Sequence, residues 1–205
     1  NQMTVKQIKA GLNKTHITGV GYEPLGHFEQ NGETVDISND LDLSLALKIG
    51  ALCNDARLVQ HQEKEGDKWE IRGDPTEGAL VVAAAKAGLT KDTLEAEFHR
   101  IDEVPFNSKT KFMATFHQGK DNQIWVFVKG APETILERCK YVIEQSEIRE
   151  FEQENRKTYL IENEAMARDA LRVLGLAYQV IAADDVATFK EALEYGHPVD
   201  LIFVG

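Results

Sequence analysis

The sequence has little of what marks the commoner sites and anchors. Two cysteines in 205 residues, Cys53 and Cys139, exclude a disulfide framework and fit a reducing cytosol. No apolar run nears the length of a membrane span; the longest, residues 79–85, is broken by Lys86. There is no G-x-x-x-x-G-K-[ST] phosphate loop, and Gly19-Val20-Gly21 does not continue into a dinucleotide fingerprint. The six histidines and two cysteines lack metal-ligand spacing, and no serine sits in a nucleophile elbow. The first residues, Asn1-Gln2-Met3-Thr4-Val5, show neither an initiator methionine nor a signal-peptide pattern, so the chain reads as a piece of a longer protein. A net charge of −11 argues against nucleic acid as a partner.

What remains is ordinary for a globular protein: 42% hydrophobic and 28% charged residues, in a length that buries one substantial core. The expectation is a single domain over residues 1–205. Charge is unevenly placed. Between Phe106 and Gly130 stand Lys109, Lys111, Lys120 and Lys129 against one acid, Asp121. A basic island on an acidic protein suits a small anionic ligand held locally, although short basic windows also arise by chance.

The pattern begins with extended segments at residues 3–8 and 16–22 and a turn at Gln30-Asn31-Gly32. A helix follows from Leu41 with Asp40 as its cap. Residues 57–61 and 68–72 read as strands around the polar turn at 63–67. Asp74-Pro75-Thr76-Glu77 is an unusually complete helix start, with Asp74 capping, Pro75 first and Glu77 at the capping-box position. That helix stops near Gly88, and a shorter one spans 90–98. Strands are predicted at 100–105, 111–117 and 124–129, a helix from Pro132 to about Cys139, and a long charged helix over 150–169. Strands at 172–180 and 201–204 complete the pattern. The fold class is therefore α+β, a mainly antiparallel twisted sheet flanked by helices.

Four segments carry candidate chemistry. Lys129 stands where a strand gives way to a helix begun by Pro132 and Glu133, a place suited to anions; an ordinary corner with a solvated lysine has the same pattern. Phe106 ends a strand before a polar turn, where an exposed ring stacks on a base for about 1–3 kcal/mol; a single phenylalanine is more often a core residue. Lys111 opens the next strand, in reach of phosphates. Glu77 has the chemistry to accept from an exocyclic amine, although its default task is its own helix terminus. Arg172 opens an apolar strand and suits a phosphate oxygen, with a surface ion pair as the commoner outcome.

Gly73-Asp-Pro-Thr-Glu-Gly-Ala-Leu80, Pro105-Phe-Asn-Ser-Lys-Thr-Lys-Phe-Met113, Val128-Lys-Gly-Ala-Pro-Glu133 and Leu171-Arg-Val-Leu-Gly-Leu-Ala177 occur in that order. In this the chain resembles the nucleotide-binding domain of P-type cation-transporting ATPases, most closely the subgroup of calcium and sodium/potassium pumps. Both ends agree: residues 1–5 resemble the segment after the family's phosphorylation motif, and residues 200–205 the strand returning to the phosphorylation domain. The resemblance implies that Phe106 stacks on adenine and that Glu77, with Thr76 nearby, meets the adenine amino edge. It implies that Lys129 and Gly130 line the pocket, that Met113 and Leu174 are apolar walls, and that Lys111 and Arg172 face the phosphates. The ligand is ATP with its Mg2+; the partners are the phosphorylation and actuator domains of the parent pump. The chain would be a cytoplasmic part of an integral membrane protein, touching the membrane only through the parent. The heavy-metal branch relies instead on a Ser-Glu-His-Pro motif; here Gly196-His197-Pro198 reads as a turn.

By the same resemblance the phosphorylated aspartate of such pumps would lie upstream of Asn1, so no catalytic residue and no metal site is assigned within the chain, and no turnover of ATP is expected from it alone. Calcium is the expected ion. Two other readings stand beside this one: a self-contained phosphoester hydrolase, which lacks a visible nucleophile, and a ligand-free scaffold or regulatory domain.

Overall fold

The structure, a computed structural model, describes residues 2–63 and 66–205, which gather into two compact units, 1–96 and 97–205. In the first unit, β1 (Gln7–Ala10), β2 (Asn13–Ile17), β3 (Phe28–Gln30) and β4 (Glu33–Val35) form an antiparallel sheet in that order. The predicted turn before β4 is a two-residue loop in which Asn31 and Gly32 both have positive φ, the geometry that matches strand twist in a tight hairpin.

Helix α1 (Leu41–Leu52) starts as its sequence requires: Asp40 Oδ1 accepts from the Leu43 N–H at 3.0 Å. The other carboxylate oxygen of Asp40 accepts from the amides of Asn13 and Gln30, which ties the helix start to the sheet. Strands β5 (Arg57–Glu63) and β6 (Gly66–Arg72) pair as a hairpin; Lys64 and Glu65 of the predicted polar turn lie outside the described residues. Helix α2 (Pro75–Lys86) is capped by Asp74, which accepts from the N–H groups of Thr76 and Glu77 at 2.8 and 3.2 Å. It closes at left-handed Gly88, with Gly88 N–H donating to Ala85 and Leu89 N–H to Ala84, the two bonds of a Schellman end. The short α3 (Lys91–Glu97) follows.

The second unit is built on β7 (His99–Val104), β8 (Phe112–Gln118), β9 (Gln123–Gly130), β10 (Cys139–Glu144), β11 (Glu147–Glu150), β12 (Gly175–Ala182) and β13 (Leu201–Phe203). Their order is β11-β10-β13-β12-β9-β8-β7, antiparallel throughout except for β10 against β13. Helices α4 (Pro132–Arg138), α5 (Gln153–Arg168) and α6 (Val186–Tyr195) supply Ile135, Tyr159 and Leu193 to one core cluster. That cluster takes Phe112, Ala114, Phe116, Val126, Val128 and Ala177 from the sheet, alternate positions that share one face of the pleat. Met113, Thr115, Phe127, Lys129 and Leu176 stand on the other.

The structure differs from the sequence reading at three further elements. The hairpin β10–β11 was not foreseen because its turn, Gln145-Ser146, contains no glycine although both residues have positive φ. Helix α6 was also unforeseen. The strand expected over 172–180 begins at Gly175, so Arg172 and Leu174 precede it. A buried-side anchor joins these parts: Arg156 of α5 donates to the carbonyls of Phe151, Cys139 and Leu136, with its guanidinium 4.4 Å from the Phe151 ring.

Helix α6 is fixed to β7 by Lys190 Nζ, 2.6 Å from Asp102 Oδ1. Partial burial raises the Asp102 pKa, but the Lys190 hydrogen bond, the Glu103 N–H and the Lys190 charge together outweigh it and hold the carboxyl below its usual value. A depressed folded pKa stabilises above the unfolded value of about 3.9, and the contribution is lost as pH falls through the folded value. Asp102→Asn should therefore lower stability at pH 7 by about 0.5 kcal/mol after solvent screening. Thermal unfolding of the two proteins should converge toward pH 3; an undiminished difference there would contradict the assignment.

Candidate functional site

One end of the second unit's sheet gathers most of the predicted residues. The strand register sets Phe112, Gly130 and Gly175 side by side, and in the next row Met113, Lys129 and Leu176. Cross-strand neighbours in one row share a face, so Met113 and Lys129 are direct companions although sixteen positions apart. The strand predicted over 124–129 is β9 (Gln123–Gly130), one residue longer at each end, so Lys129 does stand near the strand's close. It is not the solvated lysine of an ordinary corner, being only 7% exposed. An ammonium group in such surroundings costs free energy unless polar groups or ligand oxygens replace its water.

Gly130 cannot be another residue without movement. A Cβ there would lie 2.5 Å from the Lys111 carbonyl oxygen, and 2.7 and 2.8 Å from Phe112 Cβ and Cα. The close approach lets the Ala131 N–H donate to the Lys111 carbonyl at 2.9 Å. Gly175 serves the same packing from β12, where a Cβ would press on Pro132 and Ile135 at the start of α4.

Residues 105–111 form the loop that this bond anchors. Asn107 organises it: its Oδ1 accepts from the Lys109 N–H at 2.9 Å and its carbonyl from the Lys111 N–H at 2.7 Å. Lys111 is thereby held at φ +57 with an exposed side chain. Phe106, just before this turn, is 63% exposed. A large apolar ring left open to water on an anchored loop offers a flat surface for another ring. Arg172 is exposed and Leu174 half-buried in the segment leading into β12, the strand beside β9.

Thr76 and Glu77 belong to the first unit, half-buried in the first turn of α2. The Glu77 carboxylate reaches beyond its own helix and accepts from the Asp55 N–H at 3.1 Å. The reading from sequence passed over Asn107 and Gly175, which touch no candidate chemistry yet shape the loop and the sheet end. An Asn two residues before a lysine in a polar turn, and a glycine opening an apolar strand, were the available signals. Among the described residues, no group of three or more His, Cys, Asp or Glu gathers as a metal site.

Residues 42–205 match the family described as P-type ATPase, cytoplasmic domain N. The chain belongs to that family. Relatives of this N domain include the calcium-transporting ATPase of Bacillus subtilis, 31% identical over 94% of the chain and 21% of the relative. The cation-transporting ATPase pma1 of Synechocystis is 38% identical over the whole chain and 22% of its own length. The calcium-transporting ATPase type 2C member 1 of Bos taurus is 34% identical over 86% of the chain and 18% of its length. The N domain thus spans about a fifth of the relatives it matches.

The contact at Gly130 yields a direct test. Gly130→Ala should destabilise the N domain by about 1–3 kcal/mol, because the obstructing atoms are backbone and Cβ and cannot swing away. Amide exchange at Ala131 should accelerate with it; an unchanged melting temperature and unchanged exchange would show that the strands part at no cost.

Proposed function

We propose that the chain binds Mg-ATP and presents its γ-phosphate to an aspartate on a separate phosphorylation domain of a cation-transporting P-type ATPase. The observation that carries the proposal is the uncovered ring of Phe106, on a loop tied to the sheet end where Met113 and Lys129 pair. Phe106 stacks on the purine, Met113 and Leu174 give apolar walls, and Lys129 lines the pocket beside Gly130, whose missing side chain keeps the backbone close. Lys111 and Arg172 face the phosphates, with Mg2+ arriving on the nucleotide. Glu77, beside Thr76, accepts from the exocyclic amine. The relatives named as calcium transporters favour calcium as the ion moved by the parent, and a cytoplasmic position for this domain of a membrane protein.

A separate holder for the base suits phosphoryl transfer, in which positioning and charge stabilisation supply most of the catalysis. One stacking contact and a few solvated cations give weak binding, about 10⁻⁴ to 10⁻³ M for the chain alone. Weakness serves a cycle in which ADP has to leave.

Calorimetric titration of Mg-ATP into the wild-type chain and Phe106→Ala tests the proposal. Loss of the stack should weaken binding about 5- to 150-fold, from about 1–3 kcal/mol, while the melting temperature stays within a degree or so because an exposed ring contributes little to packing. Equal affinity of the two proteins would rule out the assignment. Steady ATP turnover by the chain itself, with no added partner, would favour the hydrolase reading instead.

A further inference from the structure

The first unit buries a lysine that no candidate chemistry uses. Lys91, which opens α3, is 8% exposed, and its Nζ donates to the backbone carbonyls of Asn54 at 2.5 Å and Ala56 at 3.0 Å. Both carbonyls belong to the segment between α1 and β5. A buried ammonium requires such acceptors in place of water. Those acceptors are not incidental to the site, because the Asn54 carbonyl shares its peptide plane with the Asp55 N–H. That N–H is the donor to Glu77 Oε2 at 3.1 Å.

A trans peptide points its C=O and N–H in opposite directions and resists twisting, so fixing one end fixes the other. The ammonium on the carbonyl side also polarises the amide and strengthens it as a donor. The Asn54 side chain secures the same segment. Its Nδ2 donates to the carbonyls of Gly50 at 2.8 Å and Glu77 at 2.9 Å, and its Oδ1 accepts from the Ala56 N–H at 2.8 Å. Backbone and carboxylate of Glu77 are thus both referred to one short segment, to which Lys91 brings a buried positive charge.

We infer that Lys91 is a positioning residue, setting the Glu77 carboxylate through the 54–55 peptide and thereby the preference for a purine that carries an exocyclic amine. The inference rests on the reading in which Glu77 meets the adenine amino edge. Without Lys91 the peptide loses its anchor on the carbonyl side, and the Asp55 N–H directs the carboxylate less firmly. General binding through stacking and phosphate contacts does not pass through this peptide.

Dissociation constants of Mg-ATP and Mg-ITP, whose base has an oxygen in place of the amine, separate this role from a structural one. For Lys91→Met, Mg-ATP binding should weaken about 3- to 10-fold, as for one directed hydrogen bond, and Mg-ITP binding change by less than about twofold. Lys91→Gln, which keeps a donor without the charge, should fall between wild type and Lys91→Met, and it carries the test where Lys91→Met fails to fold. Equal weakening of both nucleotides, or of neither, overturns the inference. Glu77→Ala distinguishes the two levels. If it removes the preference for ATP while the Lys91 variants retain it, the positioning role alone fails; if Glu77→Ala leaves that preference intact, the adenine reading of Glu77 fails and the inference with it.

Discussion

The approach of two strands at a residue with no side chain governs the sheet end of the second unit. Because Gly130 has no Cβ, the Lys111 carbonyl comes close enough to accept from Ala131, and the loop of residues 105–111 is tied to the corner between β9 and α4. From that tie follow the left-handed Lys111, the Asn107-centred turn and the position of Phe106 outside the core. Any side chain at Gly130 has to displace backbone, so the loop and the strand move together or not at all.

The pleat then divides the labour. Phe112 turns into the core with Phe116 and Val128, and this packing holds the strands in register. Its neighbours Met113 and Lys129 fall on the opposite face by the alternation of the strand alone. A charge with so little solvent around it acts more strongly on a nearby anion than an exposed lysine does. The exposed Lys111 and Arg172 are screened by water and salt, which makes their pull on an anion both weaker and shorter in range. On that contrast rests the proposal that the domain holds a nucleotide for a reaction completed elsewhere.

Much of this was legible in the residues, for physical reasons that differ from element to element. Asp40 and Asp74-Pro75 announce helices because caps and N-terminal prolines act locally, and both helices begin where those residues require. Strands β8 and β9 were readable as runs rich in apolar, aromatic and β-branched residues, and both are buried along most of their length. The hairpin β10–β11 was not, since Gln145 and Ser146 adopt positive φ without the glycine that usually permits it. The burial of Lys129 was hidden because lysine in a strand is read as surface, and only pairing with Met113 and Leu176 shows otherwise. Lys91 was silent for a similar reason: its acceptors are backbone carbonyls 35 and 37 residues away, which leave no trace in side-chain patterns.

The stacking of a purine on Phe106 is the point at which loop geometry, exposure and proposed function meet. Intermolecular NOEs between Mg-ATP and the chain with its phenylalanine rings selectively protonated, recorded at near-saturating nucleotide, observe it directly. Cross-peaks from adenine H2 or H8 to the Phe106 ring are the predicted result. Cross-peaks that join the base to other rings, with none to Phe106, would contradict it.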